Sequence, residues 1–159
     1  MSTASNIVFG PAKASERANI QAGQRTVAQV LGEIVWLLTQ SPVHKTLFIS
    51  DLEWAIMPAL LFEQFRIFYN NGQPAGLVLW ASVSEQTELR LESGGPIRLR
   101  PDEWKSGDRL WLVEMVAPFG GQEEMLADCA TVVFGGKPFK YQKTSTSGSE
   151  IAIHEAKPQ

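Results

Sequence analysis

The sequence predicts an α+β or α/β sandwich with a mostly antiparallel sheet. Three observations lead there. An apolar stripe of helical period lies near the start. A hairpin signal, Asn70-Asn71-Gly72-Gln73-Pro74, separates two β-rich runs. A strongly apolar strand at 109–117 then feeds a glycine turn and a further helix. With 159 residues, 44% of them apolar, the chain has the size and composition of one compact domain able to bury a core.

Residues 1–25 are rich in Ser, Ala, Gly and polar groups without periodicity, and read as a mobile arm ahead of a single domain at 26–159. Val27, Val30, Leu31, Ile34, Val35 and Leu38 fall on one helical face. That helix should stop near Gln40 and Ser41, because Pro42 disfavours helical backbone in the residue before it. Ser50 with Glu53 reads as a capping box opening a second helix to about Gln64, kinked at Pro58. Strands follow at 65–69 and 76–80, then a short helix within 82–92 that Gly94-Gly95-Pro96 breaks. Ser106-Gly107-Asp108 marks a turn into the strand 109–117. Gly120-Gly121 opens a helix over 122–134 with Met125, Leu126, Cys129, Ala130 and Val133 facing inward. Closing strands are expected at 138–142 and 150–154, joined by a flexible loop near 144–149.

A formal charge of -3 and a pI near 5.4 argue against a non-specific nucleic-acid binder. The single cysteine, Cys129, excludes an intrachain disulfide and the cysteine-rich zinc modules. The first residues lack a basic start followed by a long apolar run. The longest apolar stretches, 34–38 and 56–62, are far short of the roughly 20 residues of a membrane span. The expectation is a cytoplasmic enzyme or binding domain with no stable membrane insertion.

His44 is the histidine in the more informative setting, three positions after Ser41 and just past a helix end. An imidazole suits general-base work at neutral pH, and a nearby hydroxyl can position it or act as a nucleophile. Ser-x-x-His is a weak motif, and the same residues can simply end a helix. Glu114 is the second candidate. Alternation places Leu110, Leu112, Glu114 and Val116 on one face of the strand, and Trp111, Val113, Met115 and Ala117 on the other. Both faces are otherwise apolar, so the strand reads as central and covered on both sides. A carboxylate there needs a partner, either a functional one such as an imidazole or a structural arginine. The turn Ala117-Pro118-Phe119-Gly120-Gly121 could cradle phosphate at a helix start, or could merely connect. No ligand cluster for a metal is visible, and the apolar neighbours of Cys129 suggest packing. A subset of Trp36, Trp54, Trp80, Trp104 and Trp111 could line an acyl pocket.

Taken in order, several fragments resemble the RTX toxin-activating lysine acyltransferases. They are Leu31-Gly32-Glu33-Ile34-Val35-Trp36 leading into Ser41-Pro42-Val43-His44, then Met57-Pro58-Ala59, Gln64, Pro74 and Trp80-Ala81. Asp102-Glu103-Trp104-Lys105-Ser106-Gly107-Asp108-Arg109-Leu110-Trp111 follows, continuing to Ala117-Pro118-Phe119-Gly120. The resemblance covers roughly residues 28–121. It implies an N-acetyltransferase-like (Gcn5-related) sandwich with helices flanking a mostly antiparallel central sheet. The implied activity is transfer of a fatty acyl group from acyl carrier protein to an internal lysine of an RTX-type protoxin. No tightly bound cofactor is implied, and a homodimer is possible within the family. Carried over by position, the family's essential histidine falls on His44, its neighbouring serine on Ser41, and its catalytic aspartate on Glu114. Glutamate in place of aspartate moves the carboxylate one methylene outward, and the segment after Gly121 departs from the family pattern.

By analogy with the acetyltransferase fold, the phosphopantetheine arm of acyl carrier protein is expected at Pro118, Phe119, Gly120 and Gly121. Arg98 and Arg100, expected to share a strand face, are candidates for its acidic surface, with Lys137 and Lys140 behind them. Three alternatives stand beside this reading: a weakly active relative that only binds a carrier or secreted partner, acylation of a non-toxin acceptor, and thioester hydrolysis.

Overall fold

The computed structural model describes residues 7–9, 25–145 and 148–155. Its centre is a six-stranded sheet in sequence order: β1 (Ile7–Phe9), β2 (Phe65–Asn70), β3 (Gln73–Val83), β4 (Arg109–Val116), β5 (Phe139–Ser145) and β6 (Gly148–His154). Every neighbouring pair is antiparallel except β4 and β5, which run parallel. The sheet is therefore mixed, within the expected α+β sandwich.

Helices cover both faces. On one lie α1 (Val27–Gln40), α2 (Leu52–Ala55), α3 (Met57–Leu61) and α4 (Glu85–Glu92), burying Val30, Ile34, Leu37, Ile56, Ala59 and Leu91 against Leu77, Leu79, Ala81, Trp111 and Val116. On the other, α5 (Gln122–Asp128) and a π-helical turn (Cys129–Val133) pack Met125, Cys129 and Ala130 on Phe68, Val78, Trp80 and Leu112. Alternation along β3 sends Leu77 and Leu79 to the first core and Val78 and Trp80 to the second.

α1 starts where a capping box forms between Thr26 and Gln29 and ends at Ser41, ahead of Pro42. A polar clamp ties its first turns to the sheet. Arg25 donates to the Tyr69 hydroxyl at 3.1 Å and pairs with Glu33, and that hydroxyl donates to Glu33 at 2.7 Å.

Several expectations are corrected. The helix over 50–64 is three short pieces, a 3-10 turn at Ile49–Asp51 followed by α2 and α3, with its break at Ile56. Ser50 caps nothing: the Asp51 carboxylate accepts the Phe48 N–H at 2.8 Å and starts the segment two residues earlier. Pro58 sits in the first turn of α3, where its missing N–H costs no helical bond. The hairpin turn is only Asn71-Gly72, both left-handed, and β3 runs on to Val83, longer than the expected 76–80. Pro74 lies inside β3 beside an irregularity opposite Phe68 and Tyr69, where a missing ladder donor is tolerated. The helix expected to Phe134 turns π-helical after Asp128. The β5–β6 ladder continues to Ser145↔Gly148, so the connection is a tighter hairpin than a loop over 144–149; residues 146–147 lie outside the described residues. Of the expected N-terminal arm, Ile7–Phe9 pairs with β2; most of the remainder lies outside the described residues.

Glu103 anchors the loop before β4. Its buried carboxylate accepts the Arg100 N–H at 2.8 Å, Thr87 Oγ1 at 3.0 Å and the Arg90 guanidinium at 2.5 Å. Burial alone would raise its pKa. The hydrogen bonds from Arg100, Arg90 and Thr87 outweigh that and hold it below the usual carboxylate value. A depressed folded-state pKa contributes stability at neutral pH that is lost as pH falls through that value. Glu103→Gln should therefore cost about 1.5–3 kcal/mol at pH 7, and denaturant titrations should show the gap from wild type closing as pH drops below about 4.

Candidate functional site

Ser41, His44 and Glu114 meet in one hydrogen-bonded row where the end of α1 crosses β4. The helix stops at Ser41, whose carbonyl accepts the His44 N–H at 3.1 Å and the Lys45 N–H at 2.9 Å. The His44 carbonyl accepts the Leu47 N–H at 3.1 Å. These bonds curl the chain back so that the imidazole returns over the buried Ser41 side chain. Ser41 Oγ lies 2.6 Å from His44 Nδ1, and His44 Nε2 lies 2.9 Å from Glu114 Oε1.

The carboxylate arrives through a β-bulge. Leu79 of β3 pairs with Glu114 but Trp80 pairs with Leu112, leaving Val113 as an extra residue on β4. Cross-strand partners share a face, so Leu112 goes with Trp80 to the α5 side and Glu114 with Leu79 to the α1 side. The expected grouping of Leu110 and Leu112 with Glu114 and Val116 is thus corrected: the bulge reverses the alternation between the two pairs. The expectation that β4 is central and buried on both faces holds. The bulge also marks where β4 leaves β5, whose ladder with it includes only Trp111↔Lys140 and Leu112↔Tyr141. Beyond it, the longer glutamate side chain folds along its own strand, and Oε1 also accepts the Met115 N–H at 3.2 Å.

This geometry selects a tautomer. A carboxylate only accepts, so an ionised Glu114 requires the proton on Nε2, leaving the Nδ1 lone pair to accept from the Ser41 hydroxyl. The polarised direction runs from Ser41 O–H through His44 to Glu114. His44 is mostly buried, while 40% of the Glu114 side chain is exposed, so the row opens to solvent at its acidic end. The arrangement can withdraw a proton at Ser41 Oγ and spread the resulting charge over an imidazolium–carboxylate pair.

The other expected residues lie in different settings. Pro118 and Phe119 form the tip of a turn closed by the Gly120 N–H on the Ala117 carbonyl at 3.2 Å, and Gly120 and Gly121 are both left-handed before α5. Pro118, Gly120 and Gly121 are half-buried and Phe119 is exposed. Glu123 and Glu124 occupy the first turn of α5, so two carboxylates compete there with any phosphate. Arg98 and Arg100 do not share a strand face, because residues 96–100 form no strand. Arg98 stacks over Trp54 at 4.3 Å, and Arg100 pairs with Asp102 and Glu103 at 3.6 and 3.5 Å. Lys140 is held by Glu92 and by Glu88 at 3.4 Å, while Lys137 is exposed. Cys129 is buried, and burial with the nearby Asp128 charge pushes its thiol up to about 12. Among the described residues no three His, Cys, Asp or Glu side chains group as metal ligands, and no helix is long and apolar enough to cross a membrane.

Sequence reasoning missed the bulge, the Met115 N–H and a ring contact between Trp36 and Phe119. No sequence signal marks a bulge between two residues as ordinary as Leu112 and Val113.

Known proteins resemble this chain along most of its length. The model of the RTX toxin acyltransferase family matches residues 23–157. The lysine-acyltransferase RtxC of Vibrio cholerae serotype O1 is 34% identical over 136 residues, 84% of this chain and 85% of that protein. The leukotoxin-activating lysine-acyltransferase LktC of a Pasteurella haemolytica-like strain is 32% identical over 103 residues, 65% of this chain and 62% of its own length. LktC serotype A1 of Mannheimia haemolytica is 37% identical over 91 residues, 57% of this chain and 54% of its own length.

The tautomer is directly measurable. Nitrogen-15 spectra of the neutral His44 ring should show Nε2 protonated and Nδ1 as acceptor, and Glu114→Leu should abolish that bias. A ring protonated on Nδ1 in the wild type would contradict the row as described.

Proposed function

The chain belongs to the RTX toxin acyltransferase family and is an acyltransferase, and from that premise we propose that Ser41, His44 and Glu114 are the groups that carry the transfer. The acceptor is the ε-amino group of an internal lysine of an RTX-type protoxin, and the donor is a fatty acyl thioester of acyl carrier protein, with the enzyme acting in the cytoplasm. The observation that carries this reading is the continuous row from Ser41 Oγ to Glu114 Oε1, at 2.6 and 2.9 Å.

Because Nε2 is engaged by Glu114, the basic nitrogen is Nδ1, and its access to substrate runs through Ser41 Oγ. The acceptor ammonium gives one proton to Ser41 Oγ as the Ser41 hydroxyl proton moves to Nδ1. The neutral amine nitrogen then bonds the thioester carbonyl carbon and forms a tetrahedral oxyanion. That intermediate collapses with cleavage of the C–S bond. The imidazolium returns its proton to the departing thiolate, and the nitrogen loses its second proton to water. Glu114 keeps the imidazole in register and stabilises its charged form. The donor's phosphopantetheine arm follows the β4 edge that β5 leaves after Leu112, so that its acyl end, not its phosphate, faces Pro118–Gly121. Of the four candidate cations, Arg98 and Lys137 are the ones left for an acidic carrier, since Arg100 and Lys140 are engaged by carboxylates.

The test is acyl transfer from labelled acyl carrier protein to a protoxin substrate. His44→Ala and Glu114→Gln should each lower kcat/KM by about 10²–10⁴-fold. Ser41→Ala should fall as far as His44→Ala if the hydroxyl relays the proton. A Ser41→Ala enzyme with near wild-type rates would place His44 in direct contact with the amine. Label retained on Ser41 before the acceptor is added would instead reveal an acyl-enzyme. Glu114→Asp should lose about tenfold or more, because the shortened carboxylate retreats from a ring held by Ser41.

A further inference from the structure

We infer that the exposed ring pair Trp36–Phe119 is the surface on which the hydrocarbon chain of the donor lies, and so sets the acyl length the enzyme accepts. The inference rests on the acyl-transfer reading above.

Two large rings meet at 6.0 Å between centroids and 38° between planes, yet 42% of Trp36 and 59% of Phe119 remain exposed. Such an apolar patch is costly to leave open to water unless something apolar covers it. Its position says what that occupant is. Trp36 belongs to α1, five residues before Ser41, and Phe119 follows Glu114 by five residues beyond the end of β4. The ring pair and the Ser41–His44–Glu114 row therefore bridge the same two elements. A carbonyl attacked at the row has its chain tethered next to the rings. Five helical residues span about 7.5 Å along the axis, beyond an acetyl group and within reach of a longer chain.

The two segments that carry the rings, residues 34–43 and 115–122, contain no charged side chain in a chain with 14 basic and 17 acidic residues. That absence fits a hydrocarbon and opposes an acidic protein surface or a phosphate at this spot. A separate concavity of about 410 Å³ mixes apolar walls such as Leu110 and Phe139 with the charged Glu88, Asp108, Arg109 and Lys140, and it sits at the Arg109 end of β4, away from Glu114. Presentation of Phe119 is built in: Pro118 leads the turn, and Gly120 adopts a φ of 90° that holds the ring at its tip.

A methylene moved fully out of water contributes about fourfold in affinity, and an open wall covers roughly half of each one. The experiment measures binding of non-reactive thioether analogues of palmitoyl-pantetheine and acetyl-pantetheine to the full chain by calorimetry. Wild type should prefer the long analogue by about 10²-fold or more. Trp36→Ala/Phe119→Ala should compress that ratio by about tenfold or more, while Trp36→Phe, which keeps a ring, should largely retain it. A ratio unchanged in the double variant, or an equal fall for both analogues, would overturn the inference. A preference that collapses as expected while wild type modifies no protoxin lysine would uphold the chain-binding surface and refute the lysine-transfer reading instead.

Discussion

One bulged residue in β4 decides where the Glu114 carboxylate points. Were Val113 paired in the ladder instead of bulging between Trp80↔Leu112 and Leu79↔Glu114, strict alternation would keep Glu114 on the face of Leu112, beneath α5 and away from His44. The bulge turns the carboxylate toward α1, frees the Met115 N–H to hold it, and ends the ladder with β5 at the same level. Orientation of the acid, opening of the sheet and placement of the row thus follow from one local irregularity. Its stability comes from the cores packed on both sides, where Leu79, Val116 and Trp111 are fully buried on one face and Val78 and Phe68 on the other.

The second constraint is the way α1 ends. Pro42 stops the helix, Ser41 becomes its last cap, and two N–H groups returning to the Ser41 carbonyl aim the imidazole inward. The Arg25–Tyr69–Glu33 clamp fixes the other end of the same helix to β2, and burial together with Glu33 pushes the Tyr69 hydroxyl up to about 12, keeping it a neutral donor. A helix anchored at its start, and followed by a turn tied to its last carbonyl, can hold a serine and a histidine against a strand seventy residues later in the chain.

The glutamate at 114 fits this arrangement physically. A longer side chain reaching along its own strand can satisfy a backbone N–H and a histidine with one oxygen. The bulge and the extra methylene act together, and the His–acid distance stays at hydrogen-bond length. The row and the neighbouring rings share their two supporting segments, α1 and the end of β4 with the turn after it.

Much of this was legible in residue order. The α1 stripe, the Asn71-Gly72 turn, the apolar run of β4 and the stop at Pro42 follow from local rules of period and backbone preference, and each formed close to where those rules placed it. The candidates Ser41, His44 and Glu114 were legible for the same reason, since a hydroxyl and an imidazole at a helix end and a lone carboxylate in an apolar strand stand out chemically. Local rules did not foresee that Asp51 would outcompete Ser50 as a cap, that Arg98 and Arg100 would lie outside any strand, or that Trp36 would meet Phe119. Those outcomes, and the bulge above all, depend on which partner each segment finds across the fold. A two-to-one pairing has no residue code of its own, and only the register of β3 against β4 brings Glu114 to His44.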